Sequence, residues 1–129
     1  MQSRYVLVIE DDPSTTKLLT YILGVAGYDV TTADSALGVM ALTQQLQPDV
    51  ILLDLGLPYR SGASLLAELK AAPETAHIPV IVVSALAPTL TAERAALAEA
   101  VVAKPFSPRA LLVVVDAVSG PAPSNGTPP

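Results

Sequence analysis

The chain contains no cysteine. This excludes a disulfide framework, a thiolate metal site and a cysteine nucleophile. It has no tryptophan and one phenylalanine, and aromatics make up 4% of it, so its core must be aliphatic. Basic residues are scarce: 7 Lys and Arg stand against 12 Asp and Glu, for a net charge of -5. That balance argues against nucleic acid as a partner, because phosphate binding needs a basic face. No apolar run approaches the roughly 18 residues of a membrane span. The run Tyr5–Ile9 is too short for a signal-peptide core, and Glu10, Asp11 and Asp12 follow it at once. A cytoplasmic protein without nucleic-acid or membrane partners is expected. The 129 residues, 51% of them hydrophobic, suit one domain with a sizeable core.

Two textures alternate along the chain. Short β-branched runs predict strands at Tyr5–Ile9, Tyr28–Ala33, Val50–Leu53, Val80–Val83 and Val101–Ala103. The first, third and fourth are continuously apolar, as in strands covered by helices on both faces. Each interval between strand starts exceeds the roughly 10–12 residues that a parallel crossover needs. The intervals carry helix signals. Pro13 opens the first, with Leu18, Leu19, Ile22 and Leu23 as its apolar stripe and Gly27 beyond its end. Asp34 or Ser35 is placed to cap the second, which would bury Leu37, Met40, Ala41 and Leu46 before Pro48. Ser61 or Gly62 begins the third, with Leu65, Leu66 and Leu69 inward. Thr91 caps the fourth, and Ser107-Pro108 opens the fifth, with Leu111, Leu112 and Val115 facing the core. Alternating strands and helices imply a parallel sheet with helices on both faces. Residues 1–118 form this domain, and 119–129, rich in Pro, Gly and Ser, read as a disordered tail or linker stub.

Ligands in open α/β folds bind beyond the carboxyl ends of the strands. The first strand is followed there by Glu10-Asp11-Asp12 and the third by Asp54; the fourth runs into Ser84 and the fifth into Lys104-Pro105. Two carboxylates about 4 Å apart repel by about 4 kcal/mol at an effective dielectric near 20. A cluster of three therefore needs cations. Lys104 supplies one charge, and magnesium, a hard ion that takes carboxylate and phosphate oxygens, suits the remainder. An ionised Asp beside it is a plausible nucleophile toward phosphorus. The metal and Lys104 would neutralise phosphoryl oxygens, and Ser84 would hydrogen-bond one of them.

The stretches Val6–Pro13, Pro48–Pro58 with Gly62, Ile78–Ala85 and Lys104–Phe106 resemble the receiver domain of two-component response regulators, of the chemotaxis-regulator-like superfamily. The resemblance implies a flavodoxin-like (βα)5 three-layer sandwich, its parallel five-stranded sheet in the order 2-1-3-4-5. It implies Asp54 as phosphoacceptor, a magnesium site of Glu10, Asp11, Asp54 and the Gly56 carbonyl, Ser84 as switch hydroxyl and Lys104 as phosphate-binding lysine. Asp12 is then the adjacent non-ligand position. A histidine kinase or phosphotransfer protein would donate the phosphoryl group. The chain would be an acceptor that catalyses its own phosphotransfer and dephosphorylation, not an enzyme acting on others. Output, as a homodimer or to an effector, would run through the face of the fourth helix, fifth strand and fifth helix.

Some positions depart from the family. Val101 stands at the switch position usually held by Tyr or Phe, and has little reach to couple by ring rotation. The stretch from Ser84 to Lys104 is shorter than in most members, so the fourth helix or its loops should be reduced. Gly56 and Leu86 flank the path of the hydrolytic water in the family, and neither can orient a water, which implies slow self-dephosphorylation. The rival reading is a receiver-like interaction or dimerisation module independent of phosphate. A hydrolase with an Asp nucleophile is disfavoured, because Gly56 stands where such enzymes often carry a general acid.

Overall fold

The computed structural model describes residues 4–119. Five strands, β1 (Arg4–Ile9), β2 (Tyr28–Ala33), β3 (Val50–Leu53), β4 (Val80–Ser84) and β5 (Ala100–Ala103), alternate with helices α1 (Pro13–Val25), α2 (Val39–Leu46), α3 (Gly62–Ala71), α4 (Ala92–Ala95) and α5 (Pro108–Ser119). A single 3-10 turn, Ala87–Thr89, precedes α4. All pairings are parallel, in the order β2-β1-β3-β4-β5. This is the flavodoxin-like (βα)5 arrangement.

Successive strand residues point to opposite faces, which splits the core in two. Leu7, Ile9, Ile51, Leu53, Val80 and Val82 pack on one side with Val39 of α2 and Leu65, Leu66 and Leu69 of α3. Val6, Val8, Val50, Leu52, Ile81 and Val83 pack on the other with Leu19 and Leu23 of α1 and Leu111 and Val115 of α5. β1, β3 and β4 are central strands covered on both faces, which is why they read as unbroken apolar runs.

Three expectations need correcting. Leu18 is 45% exposed, so the inward stripe of α1 is Leu19, Ile22 and Leu23. The second helix starts later than Asp34 or Ser35. The Ser35 hydroxyl accepts the Leu37 amide at 3.2 Å, a local turn that competes with helix. α2 then begins after Gly38, which sits at φ 72. Leu37 and Ala41 face solvent, while Val39 and Thr43 are buried and Met40 and Leu46 pack partly against the core. Finally, α5 runs through Ser119, the first residue of the expected tail; residues 120–129 lie outside the described ones.

The expected reduction of the fourth helix is present: α4 has 4 residues. Thr91 caps it by accepting the Arg94 amide at 3.1 Å. Val101 of β5 pairs with Val82, whose side is covered elsewhere by α2 and α3, yet Val101 is 40% exposed. Below it, the Lys70 ammonium reaches the Ile78 carbonyl at 2.7 Å and Glu99 at 3.3 Å. Glu99 in turn accepts the Val80 amide at 2.7 Å. This ties α3 to the starts of β4 and β5. No helix among the described residues is long and apolar enough to cross a membrane.

Candidate functional site

The sheet ladder continues one residue past β1 and β3. The Glu10 amide donates to the Ala33 carbonyl at 2.9 Å, and the Asp54 amide to the Ile9 carbonyl at 3.0 Å. Both carboxylates are thus anchored at the ends of central strands. The Lys104 amide donates to the Ser84 carbonyl at 3.2 Å, which extends β5 toward the same rim. Asp12 is turned away to cap α1, its Oδ2 accepting the Thr15 amide at 3.0 Å. The position next to the acidic pair is therefore spent on the helix.

Carboxylate oxygens of Glu10, Asp11 and Asp54 lie within 4.8 Å of one another. Glu10 and Asp54 are buried, at 3% and 9% exposure, whereas Asp11 faces solvent. Lys104 Nζ donates to Glu10 Oε1 at 2.6 Å and to Asp54 Oδ2 at 3.3 Å. The Gly56 amide donates to Asp54 Oδ1 at 3.3 Å. Ser84 is fully buried, and its hydroxyl oxygen accepts the Leu86 amide at 3.1 Å and the Leu55 amide at 3.4 Å. It therefore joins the loops that follow β3 and β4. The Lys104–Pro105 peptide is cis.

The charges settle unevenly. Burial pushes the Glu10 carboxyl up to about 6, against the pull of Lys104. Burial also disfavours the Asp54 carboxylate, but its hydrogen bonds with Ser84, with Glu10 when that group carries a proton, and with the Gly56 amide, together with the Lys104 charge, outweigh that and hold it below the usual range. Lys104 is raised in spite of its burial, because Glu10 and Asp54 favour its charged form. At neutral pH Asp54 is an ionised, mostly buried carboxylate, the form in which a carboxylate can act as a nucleophile. A set of three carboxylates with no nitrogen or sulfur donor fits a hard oxygen-seeking ion such as magnesium.

The structure brings Glu10, Asp11, Asp54, Ser84 and Lys104 together, with Gly56 beside them. Val101 stays apart on the surface of β5. The amides of Leu55 and Leu86 were not identifiable from side-chain types, since every residue but proline offers one.

A model of the response regulator receiver domain matches residues 6–116 of this chain. The polar-differentiation response regulator DivK of Brucella ovis is 35% identical over 107 residues, covering 81% of this chain and 87% of DivK. The transcriptional regulatory protein KdpE of Staphylococcus aureus is 47% identical over 85 residues, 66% of this chain and 35% of KdpE. A DNA-binding regulator of Synechocystis, RpaA, is covered over 34% of its length, so the chain spans about a third of these two relatives. A sensor protein from Polaromonas superposes with a TM-score of 0.83 at 26% identity, over 90% of this chain and 95% of that one. The receiver domain of a Pseudomonas aeruginosa sensor histidine kinase, solved with magnesium coordinated in its active-site cleft, superposes with a TM-score of 0.81 at 25% identity, over 92% of this chain and 99% of that one.

Proposed function

The chain belongs to the response regulator receiver-domain family, and from that premise we propose that it is a phosphorylation-controlled switch whose acceptor is Asp54. The observation that carries the assignment is the position of Lys104 Nζ, 2.6 Å from Glu10 and 3.3 Å from Asp54, at the edge of the Glu10, Asp11 and Asp54 cluster.

In this reading an Asp54 oxygen attacks phosphorus. The new O–P bond forms as the P–N bond of a phosphohistidine breaks. The ring nitrogen keeps the electron pair, and the imidazole, protonated on its other nitrogen, leaves neutral. Glu10, Asp11, Asp54 and the Gly56 carbonyl are the groups that would hold magnesium, which when bound neutralises phosphoryl oxygens. Lys104 is close enough to Asp54 to share that task from the other side. Ser84 keeps the Leu55 and Leu86 amides on its oxygen and would turn its O–H from Asp54 to a phosphoryl oxygen. The chain's own chemistry is thus to position and to accept; it transforms no further substrate. The donor is a histidine kinase or phosphotransfer protein of the cytoplasm, and the face of α4, β5 and α5 carries the output.

The exposure of Val101 and the brevity of α4 favour a second reading, an interaction module that is not controlled by phosphate. One experiment decides between them. The chain is incubated with magnesium and acetyl phosphate, whose acetate leaves as the O–P bond to Asp54 forms, and its intact mass is measured. One added phosphoryl group, absent in Asp54→Asn, is the expected result. No adduct with any phosphodonor would favour the second reading.

A further inference from the structure

Gly62 opens α3 and touches the back of the site. Its amide donates to the Leu55 carbonyl at 2.8 Å. A Cβ built on it would lie 2.1 Å from the Asp54 carbonyl oxygen, 2.7 Å from Leu55 Cα and 2.9 Å from the Asp54 carbonyl carbon. All are backbone atoms, which cannot swing aside as the end of a side chain can. Two other glycines differ. A Cβ on Gly24 meets nothing within 4 Å, and one on Gly56 meets only Leu86 Cδ1 at 3.3 Å. The φ of Gly62 lies outside the left-handed region. What this glycine supplies is space, not an unusual conformation.

α3 has little freedom to retreat. Ser61 caps it, accepting the Ser64 amide at 3.1 Å, and Leu65, Leu66 and Leu69 are fully buried. Any side chain at position 62 must therefore displace the Asp54–Leu55 peptide. The Asp54 carboxylate is held by bonds of 3.3 Å from Lys104 and from the Gly56 amide, already beyond the common range, so a displacement of a few tenths of an ångström breaks them. We infer that Gly62 is a positioning residue for phosphoryl transfer. Its missing side chain seats α3 against the Asp54–Leu55 peptide and thereby aims the Asp54 carboxylate at the incoming phosphorus. The inference rests on the phosphoacceptor reading of Asp54.

The test follows phosphoryl uptake by the full chain from acetyl phosphate with magnesium. Each variant is kept at a temperature where circular dichroism shows it folded. Gly62→Ala is expected to lower the maximum rate roughly tenfold or more, because small misplacements are costly at a reacting atom. The half-saturating acetyl phosphate concentration should stay within about twofold, since the donor's own contacts are kept. Ser61→Ala removes the α3 cap without adding an atom beside Asp54. It should lower the melting temperature and leave the rate within about twofold. If Gly62→Ala does not fold, the rate is measured in a Tyr59→Gly background, which relief of the positive φ at position 59 stabilises, and the same loss relative to Tyr59→Gly alone is expected. A folded Gly62→Ala at the wild-type rate, an equal loss in Ser61→Ala, or unfolding in both backgrounds overturns the inference. No uptake by the wild type, or equal uptake by Asp54→Asn, overturns instead the phosphoacceptor reading beneath it.

Discussion

The Lys104 ammonium lies 2.6 Å from Glu10 Oε1, closer than it lies to any other carboxylate oxygen for which an ion pair forms. A lysine at this rim would be expected to favour the acceptor Asp54. It instead neutralises a buried member of the acidic pair that is placed to bind metal. In the proposed reading, magnesium would have to compete with the lysine for Glu10.

Lys104→Met should separate these roles. Removing one partner of a buried pair leaves an uncompensated charge, so the metal-free protein should lose about 3 kcal/mol at neutral pH. The loss should shrink in acid, as Glu10 takes up a proton. With its competitor gone, magnesium should bind several-fold more tightly while phosphoryl uptake slows. Titration calorimetry that shows weaker magnesium binding in the variant would refute the competition.

Gly56→Asn tests the lifetime of the phosphoryl group. Neither Gly56 nor Leu86 can orient a water, and a Cβ at 56 meets only the flexible end of Leu86, so the substitution fits. An amide there should position the hydrolytic water and speed dephosphorylation by roughly tenfold. Decay followed by intact mass is the measurement; an unchanged half-life would count against water positioning as the limit.

Tyr59 sits at φ 74 and is 78% exposed. A side chain in that region costs about 1–2 kcal/mol, and an exposed ring returns little of it. Tyr59→Gly should raise the unfolding free energy by about 1 kcal/mol, with Tyr59→Ala close to wild type. Urea denaturation compares the three, and a destabilised glycine variant would show that the ring holds the loop.

Tyr28, at the start of β2, donates its hydroxyl to Asp116 of α5. Burial and that carboxylate push the phenol up to about 12 from its ordinary 10.0. A raised folded-state value means the neutral phenol is the stabilising form. Its contribution is complete below pH 10 and is lost as pH rises toward 12. Tyr28→Phe should cost about 1.5–3 kcal/mol at neutral pH, the range for a hydrogen bond to a charged group. The variant should also show a flatter loss of stability in alkali. Parallel wild-type and variant melting curves from pH 9 to 12 would contradict this.

The strands were legible because central parallel strands need apolar side chains on both faces, and Val50–Leu53 and Val80–Val83 can serve nothing else. The rim followed from them: Glu10, Asp54, Ser84 and Lys104 each stand at a strand's end. Other features depend on interactions that side-chain pattern does not encode. Ser35 could cap a helix or close a turn, and only the surrounding packing selects the turn. Leu18 and Leu19 look alike in a stripe, and the angle of α1 on the sheet exposes one. The preference of Lys104 for Glu10 depends on tenths of an ångström. The space required at Gly62 depends on how closely α3 approaches a peptide seven and eight residues back along the chain.

Lys70 and Glu99 brace the starts of β4 and β5, and the opposite ends of these strands carry Ser84 and Lys104. A strand pinned at one end and reloaded at the other behaves as a lever with a fixed fulcrum. A new charge at Asp54 would then be felt as displacement at the rim and in the loops beyond it, while the far edge of the sheet stays still. Loosening the fulcrum, as Lys70→Met would, should spread the same force over the whole sheet and shorten the stroke at the rim.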